Sequence, residues 1–184
     1  MNTPFLLILT GPPGAGKTTV ATLVAEHFTP SVVIEADALW AHVVRGFVEP
    51  WEEESVEQNR ALVRASLAAA ARLTGSGYAT VLSGHVGPWF MDLVGNELAP
   101  LRTSVAYMVL RPSLEDCLAR CLQRQSESRH AGALRDETVI RQLYRSYSNL
   151  EGFERHVIDT GGLRADETAS LVVDELESPR FALG

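Results

Sequence analysis

The chain has 184 residues, 46% hydrophobic and 21% charged, a balance that excludes a disordered or collagen-like polymer and a secreted disulfide scaffold. Its 16 basic residues against 23 acidic ones leave a formal charge of −7, which argues against general nucleic-acid binding. No apolar run approaches the roughly 18 residues that a membrane helix needs, and the N-terminal stretch lacks the basic flank and cleavage site of a signal peptide, so a cytoplasmic protein with no membrane partner is expected.

Phe5–Leu9 is continuously apolar and bounded by Thr3-Pro4 and Gly11-Pro12-Pro13, which predicts a buried parallel strand. The next residues, Gly11-Pro12-Pro13-Gly14-Ala15-Gly16-Lys17-Thr18, fit G-x-x-x-x-G-K-[ST]. Glycines allow successive N–H groups to turn inward around phosphate oxygens, and the helix predicted over Lys17–Phe28 adds its positive end. Lys17 is the only lysine beside fifteen arginines. It can reach the β- and γ-phosphates while the Thr18 hydroxyl holds Mg²⁺ and Thr19 completes the loop. A strand before and an amphipathic helix after this motif predict a nucleoside-triphosphate site.

Ser31–Glu35 reads as a second strand whose exit carries Glu35 and Asp37. In phosphoryl transfer to an alcohol, a carboxylate there can take the hydroxyl proton, with Asp37 the better placed; solvated loop acids, or a cap on the helical Ala38–Val44, are the competing reading. A helix over Val56–Leu73 leads through Gly75-Ser76-Gly77 to a third strand, Ala79–Leu82, then Ser83-Gly84-His85 and a helix over Pro88–Leu98. Trp40, Trp51 and Trp89, with Arg45 and His85, cluster after these strands, so the segments of about 37–60 and 83–95 are expected to line an acceptor pocket. Aromatic faces suit an acceptor with a ring or apolar portion, such as a sugar, nucleoside or antibiotic; core packing is the plain alternative for each tryptophan.

Ser104–Leu110 is a fourth strand, followed by a helix over Leu114–Leu122 with apolar residues at 114, 117, 118, 121 and 122. Cys117 and Cys121 belong to that stripe and read as core thiols rather than a zinc site. Seven arginines fall between residues 111 and 145. Arg120 and Arg124 share another face of the helix, and Arg129 lies in the polar Gln125–Arg135 stretch, which reads as a lid over about 123–136 that could bring positive charge to the transferring phosphoryl group. Helices over Glu137–Leu150 and Asp166–Leu176 flank a fifth strand, His156–Ile158. With no internal repeat or linker, residues 1–184 are expected to form one α/β domain, a parallel sheet with helices on both faces and ligands beyond the carboxyl ends of the strands.

The sequence has no N-K-x-D guanine motif, and its third and fourth strands do not end in the acidic pair of a motor ATPase. The P-loop at 11–18, the carboxylate of Asp37, the arginines near 120–135 and Val157-Ile158-Asp159-Thr160 together resemble the adenylate-kinase-like P-loop kinases of small molecules, in the neighbourhood of gluconate kinase, chloramphenicol phosphotransferase and zeta toxin. That resemblance implies a three-layer P-loop NTPase fold with five parallel strands in the order 2-3-1-4-5. It also implies Mg-ATP as donor, Asp37 as the base and a metal ligand, and Asp159-Thr160-Gly161 beside the adenine. Relatives often carry an acid at the end of the third strand, where Ser83-Gly84-His85 stands here, so the metal would rest on Thr18, Asp37 and waters. The expected activity is phosphoryl transfer from ATP to a small-molecule hydroxyl by a monomer or homodimer. The alternatives are an NTPase module without such an acceptor and a toxin-like kinase of a nucleotide-sugar.

Overall fold

The computed structural model describes residues 4–127, 134 and 136–183, and of residues 124–127 the backbone alone. Five strands, β1 (Leu6–Thr10), β2 (Ser31–Glu35), β3 (Ala79–Ser83), β4 (Val105–Leu110) and β5 (Val157–Ile158), pair in parallel in the order β2-β3-β1-β4-β5. The helices are α1 (Lys17–Ala25), α2 (Val56–Gly75), α3 (Met91–Leu98), α4 (Leu114–Glu127), α5 (Glu137–Arg145) and α6 (Ala165–Asp174). The strand order is the one the resemblance implies.

Strand alternation divides the core in two. Leu6 and Ile8 face a layer built from Val63, Leu67 and Ala70 of α2 and Leu93, Val94 and Leu98 of α3. Leu7 and Leu9 face Val20, Ala21 and Val24 of α1 and Ala169 and Val172 of α6. Because β1 is central and covered on both faces, its whole length is buried. β2 is half-buried because it is the edge strand.

Several boundaries differ from the sequence reading. The helix expected from Pro88 opens as a 3₁₀ turn, Pro88–Phe90, before α3. The one expected over Ala38–Val44 is 3₁₀, Ala36–His42. Leu122, expected in the buried stripe of α4, is 47% exposed, whereas Leu118, Cys121 and Ile140 form the small core between α4 and α5. Position 122 lies one residue, about 100° of helical turn, beyond Cys121, outside the arc that α5 covers. The helix expected to reach Leu150 stops at Arg145, and the chain closes into a tighter turn in which Tyr147 N–H donates to Tyr144 O at 2.9 Å. That turn swings Tyr147 into the main core. The two-residue β5 leaves the lower half of β4 without a partner on that side, and residues 181–183 fill it: Tyr107 N–H donates to Phe181 O, Leu183 N–H to Val105 O, and Phe181 is fully buried.

Candidate nucleotide and acceptor site

The P-loop leaves the carboxyl end of β1 in contact with two other elements, and glycine is required at both contacts. A Cβ on Gly11 would lie 2.2 Å from Leu110 O at the end of β4, and one on Gly14 would lie 2.4 Å from Cys117 O of α4. Gly14 and Gly16 also take positive φ, 78° and 88°. Ala15 N–H closes the loop by donating to Pro12 O. Gly16 then starts α1 without a side-chain cap, and the first turn carries no acidic residue. A nine-residue helix whose opening amides meet neither a capping side chain nor a carboxylate is suited to an anion. Lys17 Nζ lies over the loop, donating to Gly11 O at 3.1 Å and Pro12 O at 3.2 Å. This donor set of backbone N–H groups, helix terminus and one ammonium fits a polyphosphate chain.

Asp37 stands in the first turn after β2, exposed, and is pinned from the neighbouring strand: His85 N–H donates to its Oδ1 at 2.8 Å. β2 and β3 run in register to Glu35↔Ser83, so the residues that follow meet across the sheet edge. A Cβ on Gly84 would come within 2.7 Å of Ala36 Cβ and 2.9 Å of Asp37 Oδ1, so the close approach needs glycine there. Burial pushes His85 well below its ordinary value, to about 4; the Asp37 carboxylate opposes this and the Lys17 ammonium adds to it. All three groups therefore share one electrostatic neighbourhood. His85 is half-buried, its ring 5.3 Å from both Trp89 and Tyr147. Trp89 lies over Gly87 with part of its indole exposed.

Thr18 is exposed at the start of α1. Thr18 and Asp37 are the residues that could offer oxygens to Mg²⁺. Among the described residues no group of three or more His, Cys, Asp or Glu side chains gathers around a metal position, so such a cation would take most of its ligands from phosphate and water.

Trp40 packs against the core and gives its indole N–H to Asn59 at 2.8 Å, while Arg45 and Glu35 are exposed. Thr19 is exposed on the first turn of α1. Arg120 is half-buried and aims at the P-loop, with its Nη1 3.5 Å from Gly14 O; Arg129 and the Arg124 side chain lie outside the described residues, as does most of the 123–136 segment. After β5, Asp159 accepts Gly161 N–H at 2.9 Å in a tight turn, and the Thr160 hydroxyl is buried without a partner among the described residues. Arg111 is a brace, making a two-pronged pair with Glu154 at 2.9 and 2.8 Å and donating to Tyr147 O. Arg141 pairs with Glu137 within α5.

Sequence reasoning missed Thr10 and Tyr147. Thr10 is the last, fully buried residue of β1, and its hydroxyl lies 2.9 Å from the hydroxyl of the equally buried Tyr147. A polar residue closing an apolar strand was the only signal for Thr10; nothing local marks Tyr147.

A model of the family described as AAA domain matches residues 7–141. No curated protein matches the chain. Among solved structures, the tunicamycin resistance protein of Deinococcus radiodurans is similar at 18% identity over 94% of this chain and 95% of that one, with a TM-score of 0.64. A gluconokinase from Sinorhizobium meliloti 1021 is similar at 16% identity, 96% and 93% coverage and a TM-score of 0.63. The Mycobacterium tuberculosis APS kinase CysC, solved in complex with AMPPNP and APS, is similar at 19% identity, 97% and 100% coverage and a TM-score of 0.61. At these identities the likeness is one of fold, and the fold is the P-loop NTPase fold. Among the described residues no helix is long and apolar enough to cross a membrane.

Proposed function

The chain belongs to the AAA domain family, and we propose that it is an ATP- and Mg²⁺-dependent kinase that phosphorylates a hydroxyl group of a small molecule. The observation that carries this reading is the Asp37 carboxylate held by His85 N–H at 2.8 Å, in the same electrostatic neighbourhood as Lys17 of the P-loop. A carboxylate fixed beside a phosphate cradle can accept the proton of an attacking hydroxyl and align its oxygen.

Each residue has a distinct role. The P-loop amides and Lys17 bind the β- and γ-phosphates, so the bridging oxygens are held and their charge offset. Thr18 and Asp37 would hold Mg²⁺, which when bound supplies further neutralisation of the phosphates. Asp37 orients and deprotonates the acceptor hydroxyl. Arg120, with Arg124 and Arg129 as further candidates, adds positive charge at the open side of the loop. The Asp159-Thr160-Gly161 turn is the candidate adenine contact. Trp89, His85 and Arg45 are the candidate acceptor contacts, with the exposed indole face of Trp89 suited to a ring or apolar portion.

The AAA domain match favours a second reading, an NTPase module that transfers phosphate only to water. Against it stands the end of β3, where Ser83, Gly84 and His85 occupy the place of a motor-type acidic pair. ATP labelled at the γ-phosphate, incubated with the protein and sugars, nucleosides or antibiotics in turn, separates the two. Label moving to one compound, with slow hydrolysis in its absence, supports the kinase; rapid acceptor-independent release of phosphate supports the NTPase.

A further inference from the structure

Tyr147 lies beyond the end of α5, yet its ring is fully buried and its hydroxyl meets the base of the P-loop. Two groups converge on that oxygen: Thr10 Oγ1 is 2.9 Å away and His85 Nδ1 is 3.2 Å away. A phenol has one proton to give and two lone pairs to receive. The fully buried Thr10 hydroxyl has no other acceptor for its hydrogen among the described residues, so it donates to the phenol oxygen, and the phenol's own proton is left for His85 Nδ1. An imidazole that accepts at Nδ1 carries its hydrogen at Nε2. Nε2 has no hydrogen-bond partner among the described residues, and the backbone N–H of this same residue pins Asp37.

We propose that Tyr147 is a positioning residue: its hydroxyl holds His85 in the Nε2–H form, so that the imidazole offers a hydrogen-bond donor to the acceptor molecule beside the Asp37 carboxylate. The proposal deepens the kinase reading and rests on it for the presence of an acceptor. It also narrows the acceptor chemically. Asp37 takes a proton and His85 gives one, so the pair favours a compound that carries a second hydrogen-bond acceptor next to the reacting hydroxyl. Edge-to-face packing of Tyr147 against His85 and Trp89, with ring planes at 76° and 66°, fixes the direction of the phenol. The Arg111 bond to Tyr147 O anchors its backbone.

The test uses the full chain with ¹⁵N-labelled histidine, the His85 signals being assigned by their loss in His85→Gln. In the ligand-free wild type, ring-nitrogen shifts are expected to show a protonated Nε2 and a hydrogen-bonded, unprotonated Nδ1. In Tyr147→Phe the two shifts should move toward those of an averaged, exchanging imidazole. Turnover should fall about tenfold in kcat/KM for the acceptor while the affinity for ATP is unchanged. Thr10→Val, which keeps the shape of the side chain and removes one donor to the phenol, should move the shifts in the same direction by less. It serves as the readout should the phenylalanine variant not fold. A wild-type protein with the proton on Nδ1, or nitrogen shifts unmoved in both variants, overturns the proposal. The nitrogen shifts need no catalysis, so a wild type that transfers label to no acceptor defeats the kinase reading separately and leaves the tautomer assignment to be decided on its own data.

Discussion

Lys17 is the side chain on which nucleotide affinity turns. Its ammonium lies on two carbonyls of its own loop, at 3.1 and 3.2 Å, which holds it over the loop where phosphate oxygens would be charged acceptors. Hydrogen bonds to charged groups contribute about 1.5–3 kcal/mol each. Lys17→Ala should therefore weaken ATP binding by roughly 10- to 150-fold. Titration calorimetry measures this directly, and the melting-point rise that ATP gives the wild type should shrink correspondingly. The lysine and its loop were legible from the sequence because eight consecutive residues carry the whole pattern. Asp37 was legible only by its place after a strand. The bond that pins it comes from His85, 48 positions away, and no spacing rule reaches that far. Trp40 and Trp89 looked alike as aromatic candidates, but their surroundings separate them: Trp40 gives its N–H to Asn59, whereas Trp89 keeps part of its face open.

Between elements, the contact of α4 with the P-loop carries most weight. Gly14 sits against the backbone of Cys117, and Arg120, one turn further along the same helix, aims at the Gly14 carbonyl. Gly14→Ala would place a methyl group 2.4 Å from a carbonyl oxygen that a helix backbone cannot withdraw, at a φ of 78°. Overpacking of this kind costs about 1–3 kcal/mol. Urea unfolding should show that loss as a lower midpoint at an unchanged slope, together with weaker ATP binding because the loop is displaced. An unchanged midpoint would mean that α4 moves freely with respect to the loop. Elements with strong local patterns were predicted to within a few residues, and the misses have tertiary causes. The end of α5 was overestimated because Tyr147 leaves the helical path for the core. The strand-like pairing of residues 181–183 was missed because the vacancy beside β4 exists only when β5 is known to be short.

For the molecule as a whole, the buried histidines give stability a pH dependence with a definite sign. His156 is 1% exposed, its Nδ1–H donates to Tyr107 O at 3.0 Å, and its Nε2 accepts from Arg155 Nε at 3.1 Å. Burial lowers its pKa most; the bond to Tyr107 O opposes this, while Arg155 and Arg180 add to the lowering. His85 is lowered likewise, to about 4. A histidine kept neutral by folding takes up a proton more readily when unfolded. Stability is therefore level above about pH 6.5 and falls below it, by up to about 1.4 kcal/mol per pH unit for each such group. Urea midpoints between pH 7.5 and 5 should trace this fall, and His156→Asn should make it shallower, leaving the share of His85; a slope unchanged in that variant would contradict the assignment. Sheet order and layers were readable from alternating apolar strands and helices together with the family resemblance, because burial on both faces leaves few arrangements open. The acceptor was not readable, because recognition depends on which side chains meet across the ends of β2 and β3. The most direct test of the central claim is Asp37→Asn, compared with the wild type for ATP affinity and for acceptor-dependent transfer of labelled phosphate. Affinity for ATP measured without Mg²⁺ within about threefold of wild type, and turnover lower by about 10²–10⁴, is the predicted result. Undiminished transfer to the acceptor by the asparagine variant would contradict it.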